Sequence, residues 1–117
     1  RGNLDRARAL CRDAVTRRRL DPEAHLLLAA IEQERGDVPS AVDAVRSAIY
    51  LAPDSPSAHF ILGSLLLRQG KTVGGRRSMQ TVVGLLDSVP SDQLVEGVDV
   101  LPAGRLLQTA AAYLEGR

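Results

Sequence analysis

Gly2, Gly36 and Gly70 recur every 34 residues, and this period constrains the fold more than any other property of the chain. A unit of that length holds two antiparallel helices and their turns, with glycine supplying the left-handed or open backbone between them. Steric demand repeats in the same register. Ala7, Ala41 and Gly75 follow the glycines by five residues, Cys11, Val45 and Met79 by nine, and Ala14, Ala48 and Val82 by twelve. The run Pro22-Glu23-Ala24-His25 returns one period later as Pro56-Ser57-Ala58-His59, Leu28 returns as Leu62, and the small Ala29 returns as Gly63. Each unit reads as one helical hairpin.

Helix signals divide the units further. Asp21-Pro22 and Ser55-Pro56 each place a capping side chain before a proline at the first helical position, where its missing N–H costs nothing. They predict helices from about Pro22 to Arg35 and Pro56 to Gln69. Asp37 caps a partner near Val38 to Leu51, and a second partner is expected from Thr72 to Asp87, weakened at its start by Gly74 and Gly75. That glycine pair reads as a close helix crossing, with a flexible hinge as the alternative. A helix from about Leu4 to Arg18, capped by Asn3, carries the apolar stripe Leu4, Ala7, Cys11, Ala14 and Val15. Arg17, Arg18 and Arg19 crowd its end, where cations complement the helix dipole and water solvates them. Residues 88–101 break the period and read as a loop. A last helix over 102–117 presents Leu106, Leu107, Ala110 and Leu114 on one side, as a cap over the third hairpin.

The pattern Leu62-Gly63, Leu66 and Gly70 in one helix, with Gly36, Ala41, Ala48 and Pro53 through the next, resembles the tetratricopeptide repeat over residues 2 to about 87. The resemblance implies an all-α, right-handed solenoid of antiparallel helix pairs: the second helix of a truncated repeat over 1–21, and full repeats over 22–55 and 56–87. The first glycine falls inside a repeat, so a further upstream helix in a longer parent chain is expected. Two departures stand out. His25 and His59 replace the large aromatic that opens the usual motif, and Glu32 sits where an aromatic is common. In such a solenoid the first helix of each pair lines the concave face, which here groups Leu26, Ala30 and Gln33 beside Phe60, Ser64, Leu67 and Arg68. Phe60, Leu67 and Arg68 are then the anchors for a bound peptide or helix. The competing assignment packs Phe60 and Leu67 against upstream or downstream helices that lie outside this segment. Leu26 and Ala30 stand where a carboxylate clamp would need Lys and Asn, which disfavours chaperone C-termini as ligands.

Composition fits such a core. Hydrophobic residues make up 44% of the chain, aromatics only 3%, and tryptophan is absent, so small side chains must let the helices approach closely. Fifteen Lys plus Arg balance fourteen Asp plus Glu at a net charge of +1, which gives no global field for nucleic acid or anionic lipid. One cysteine excludes an internal disulfide, and no apolar run reaches the ~18 residues of a spanning helix. The chain reads as cytoplasmic, without membrane insertion.

Catalytic and cofactor chemistry finds little support. Gly70-Lys71-Thr72 lacks the upstream glycine of a phosphate loop, since Leu65 occupies that place, and a helix rather than a strand precedes it. His25 and His59 occupy equivalent positions one repeat apart, with no further ligands at fixed spacing to complete a metal site. Cys11 shares its register with Val45 and Met79 and reads as a buried small hydrophobe. No catalytic residue, metal or cofactor is expected in this segment, and its partner is a protein or peptide. Dimerisation through the truncated first helix is a further expectation.

A narrower resemblance covers residues 22 to about 110. Ala48-Ile49-Tyr50-Leu51-Ala52-Pro53, then Ala58-His59-Phe60-Ile61-Leu62-Gly63, then a broken loop and Ala103-Gly104-Arg105-Leu106-Leu107, is similar to the C-terminal extension of CheR-type chemoreceptor methyltransferases. That resemblance implies a regulatory module of an S-adenosylmethionine-dependent protein-glutamate methyltransferase in chemosensory signalling, with a chemoreceptor or the parent's catalytic domain as partner. The alternative is a stand-alone repeat scaffold for secretion, pilus or envelope assembly.

Overall fold

The computed structural model describes residues 2–97 and 100–115. Six helices carry the fold: α1 (Gly2–Arg17), α2 (Pro22–Glu34), α3 (Val38–Leu51), α4 (Pro56–Arg68), α5 (Thr72–Leu86) and α6 (Ala103–Leu114). The chain forms two compact units, Arg1–Pro53 and Asp54–Arg117. The first holds α1 and the α2–α3 pair, and the second holds the α4–α5 pair and α6.

Two of the period glycines close the helix pairs in the same way. Gly36 and Gly70 adopt φ of 83° and 77°, the left-handed region that a Cβ disfavours. Around Gly36, its own N–H reaches the Gln33 carbonyl at 3.0 Å and the Asp37 N–H reaches the Glu32 carbonyl at 2.9 Å. Around Gly70, its N–H reaches Leu67 at 3.0 Å and the Lys71 N–H reaches Leu66 at 2.9 Å. These are paired Schellman turns, which satisfy the last helical carbonyls while reversing the chain. Gly2 differs, because it is already helical. Asn3 consequently lies inside α1 and does not cap it.

The expected caps form at the other helix starts. Asp21 accepts from the Glu23 N–H at 3.0 Å, Ser55 from the Ala58 N–H at 3.2 Å, and Asp37 from the Ser40 N–H at 3.1 Å. Asp37 also accepts from the Ser40 hydroxyl at 2.8 Å. The Ser40 hydroxyl first, then its amide, and then the charges of Arg35 and Arg8 hold the Asp37 carboxyl below its ordinary value of 3.8.

Close approach defines the α4–α5 crossing. A Cβ on Gly75 would lie 2.5 Å from Leu67 Cγ and 3.1 Å from the Gly63 carbonyl oxygen, and one on Gly63 would lie 3.2 Å from the Gly75 carbonyl oxygen. The two glycines therefore face each other nearly backbone to backbone, and α5 runs unbroken through Gly74 and Gly75. Gly75 is a packing position, not a hinge. The equivalent residues of the first unit, Ala29 and Ala41, are fully buried.

The first unit has an ionic element in its core. Glu32 is 1% exposed and receives Arg8 Nε at 3.1 Å, Arg12 Nη2 at 3.5 Å and Arg35 Nη1 at 2.9 Å. Arg35 reaches on to Asp5 at 3.3 Å. The hydrogen bond to Glu32 chiefly strengthens Arg35's hold on its proton. Charges from α1 thus converge on the position of α2 where an aromatic ring is common in the repeat.

The segment between α5 and α6 is more ordered than a plain loop. Leu94–Val95 (β1) and Leu101–Pro102 (β2) pair antiparallel, Leu94 opposite Pro102 and Val95 opposite Leu101. The Ala103 N–H donates to Gln93 at 2.8 Å and the Gly104 N–H to Ser91 at 2.9 Å, which seats the start of α6. Leu106 and Ala110 then bury with Met79, Val82, Leu86 and Val95, while Leu107 and Leu114 pack against that cluster.

Three outcomes follow from this packing. Gly75→Ala should cost about 1–3 kcal/mol through overpacking, whereas Gly84→Ala, where a Cβ meets nothing within 4 Å, should gain up to about 1 kcal/mol. Urea unfolding of both variants tests the pair. Glu32→Gln keeps the shape but removes the charge from three partly solvated arginines, and should cost about 1–3 kcal/mol at low salt. The deficit should narrow as salt is added. Because the folded Asp37 carboxyl binds its proton more weakly than the unfolded one, the cap's contribution is complete above the ordinary carboxylate range and disappears as pH falls through the depressed folded value. The stability difference between the wild type and Asp37→Asn should therefore shrink in acid, read from thermal melts across that range.

Candidate interaction faces

The residues expected to line a groove lie on α2 in one unit and on α4 in the other. On α2, Leu26 is buried at 4% exposure, while Ala30 and Gln33 are half-buried. Leu26 thus serves the core of its unit, leaving Ala30 and Gln33 as the accessible part of that face.

On α4, Phe60 and Leu67 pack against the cluster built by α5, β1 and α6. The Phe60 ring meets Tyr113 edge-on, with centroids 5.9 Å apart and planes at 69°, a favoured aromatic arrangement. Leu67 lies over Gly75. Both side chains are therefore occupied within their own unit rather than standing free as anchors. Arg76 Nη2 reinforces this cover by donating to the Leu114 carbonyl at 2.8 Å, and the Ser57 hydroxyl donates to the Glu96 carbonyl at 2.8 Å. Ser64 is half-buried and spends its hydroxyl on the Ile61 carbonyl at 2.9 Å. Arg68, in the last turn of α4, is exposed.

The reactive residue types are placed in structural surroundings. Cys11 is 7% exposed, and burial pushes its thiol pKa up, away from a nucleophilic thiolate. The His25 Nε2 donates to the Arg19 carbonyl at 3.0 Å, fastening the α1–α2 turn onto α2. Among the described residues no group of three or more His, Cys, Asp or Glu could hold a metal ion. Among them also, no helix is long and apolar enough to cross a membrane.

Sequence reasoning missed Glu32 as a junction, although Arg35 three residues on was a visible helical partner. It also treated Arg19 only as part of a solvated helix end, because the bond to His25 spans a turn whose path the pattern does not specify.

Solved structures show the same fold. PcrH of Pseudomonas aeruginosa, in complex with the chaperone-binding region of PopD, aligns with a TM-score of 0.82 at 19% identity, covering 98% of this chain and 78% of that one. The Yersinia enterocolitica type III secretion chaperone SycD, in complex with a peptide of the translocator YopD, gives 0.83 at 16% identity over 98% of this chain and 79% of its own. A type III secretion complex from Aeromonas hydrophila gives 0.83 at 19% identity, covering 98% and 69%. Comparison with curated protein sequences returns no match. The tetratricopeptide repeat model matches residues 1–56 and 32–85, so this all-α chain of antiparallel helix pairs belongs to the tetratricopeptide repeat family.

Proposed function

We propose that this chain binds an extended segment of another protein in the manner of a secretion chaperone, with the accessible face of α2 as the candidate surface of the first unit and that of α4 as the candidate surface of the second. One observation carries the reading: the fold matches over 98% of the chain to chaperones whose structures contain a segment of a partner protein. The chemistry of the two faces agrees with it. Ala30 and Ser64 are small enough to admit a backbone, Gln33 offers both a donor and an acceptor, and Arg68 supplies a charge. Phe60 and Leu67 form an apolar floor whose positions are set by Tyr113 and Gly75.

No specific observation favours the chemoreceptor-methyltransferase reading. Its most distinctive residues, Ala103-Gly104-Arg105-Leu106-Leu107, have a packing explanation. Ala103 and Leu106 are buried, and a Cβ on Gly104 would lie 2.8 Å from Ser91 Cβ and 3.2 Å from the Ser91 carbonyl oxygen. That run is what seats α6, whatever the chain binds.

Calorimetric titration of the full chain with the YopD peptide and the PopD chaperone-binding region, used as probes, tests the proposal. Binding of at least one is expected, weakened at least tenfold, or about 1.4 kcal/mol, by Ala30→Trp or Ser64→Trp. Failure of both segments to bind, or affinity unchanged by both tryptophans with the helical fold intact, overturns it.

A further inference from the structure

A second surface of the first unit has the chemistry of a docking site and shares no residue with the α2 face. The α1–α2 turn, the start of α2 and the C-terminal half of α3 border an open depression of about 590 Å³, lined by Arg19, Leu20, His25, Arg46, Tyr50 and Leu51. A second depression, of about 620 Å³, shares Arg19 and Leu20 and adds Arg17, Arg18 and Asp21.

Its apolar part is unusually open. Tyr50 is 87% exposed and Leu20 is 80% exposed. Neither contributes burial to the core, and apolar side chains gathered within a polar rim mark interaction surfaces. The turn that carries Leu20 is fastened by the His25 bond to the Arg19 carbonyl, so the apolar and basic groups are presented together.

Its charge is one-sided. Arg17 pairs with Asp13 at 3.2 Å and Arg18 with Asp21 at 3.9 Å, but neither Arg19 nor Arg46 makes a salt bridge among the described residues. Among the described residues, two guanidinium groups therefore stand without a salt-bridge partner beside Leu20, Tyr50 and Leu51, on a chain whose net charge is only +1.

We propose that this depression docks an acidic peptide segment carrying an apolar anchor, its carboxylates meeting Arg19 and Arg46 and its anchor meeting Leu20, Tyr50 and Leu51. Guanidinium groups bind carboxylates through paired hydrogen bonds, and Tyr and Arg are enriched among residues that dominate protein interfaces. A nucleic acid would engage the arginines through its phosphates but leave the leucines unused, and a net charge of +1 gives little general attraction for such ligands.

The test is a selection of random displayed peptides on the full chain, followed by anisotropy titration of the enriched peptides and mapping by amide shifts. Enrichment of Asp and Glu around an apolar residue is expected, with shifts at residues 19–20 and 46–51 and affinity that falls with salt. Arg19→Glu with Arg46→Glu, or Leu20→Ser with Tyr50→Ser, should weaken binding at least tenfold while Ala30→Trp leaves it unchanged. All four side chains are exposed, so circular dichroism should show an intact fold, and the wild-type shift map gives a readout independent of the variants. Absence of acidic enrichment, shifts confined to other surfaces, variants that bind as well as wild type, or displacement of the peptides by a single-stranded oligonucleotide each overturns the proposal.

Discussion

The fold depends on how closely two helices of a pair can approach. A chain with one Phe, two Tyr and no Trp cannot fill a wide space between helices, and dispersion contacts fall away quickly across small gaps. The solution is to reduce the space. At the α4–α5 crossing the backbones nearly meet through Gly63 and Gly75, and fully buried alanines occupy the equivalent positions of the first unit. Glycine normally weakens a helix interior. Here that cost is offset by contacts which a methyl group would prevent.

Glu32 solves the same shortage differently. Where bulk is common in the repeat, this chain buries a carboxylate and surrounds it with Arg8, Arg12 and Arg35. The long arginine stems cover apolar surface while their heads remain partly in water. The attachment of α1 to α2 is consequently directional and salt-sensitive, whereas the α4–α5 pair is held by shape. A buried ion pair is weak evidence for stability, but a carboxylate on α2 that accepts from two arginines of α1 and from Arg35 at its own helix end restricts the register in which the two helices can meet.

The repeat was legible because it is written in local terms. Gly36 and Gly70 terminate helices, and their turns depend on residues within a few positions. Gly2 carries the same identity, but its backbone is helical as the first residue of α1. Phe60 and Leu67 were read as lining a groove, but periodicity specifies a face and not what covers it. The Phe60 ring meets Tyr113 of α6, more than fifty residues away, and Leu67 lies over Gly75 of α5. Glu32 was visible as a departure from the repeat, but its meaning required knowing that Arg8 and Arg12 arrive from another helix. The short β1–β2 pairing escaped notice because two-residue strands are too brief to show alternation.

Phe60 and Tyr113 engage each other in the second unit, so two of the chain's three aromatic side chains work in packing. The third, Tyr50, stands in solvent beside Leu20 and Arg46. An isolated exposed apolar residue needs no special explanation. In a core so short of bulk that glycines and alanines mediate its helix crossings, however, an aromatic ring left outside contributes nothing to the main obstacle in folding this sequence. The ring is open to another molecule, and on the proposed docking of an acidic segment Arg19 and Arg46, which make no salt bridge among the described residues, set the charge that molecule carries.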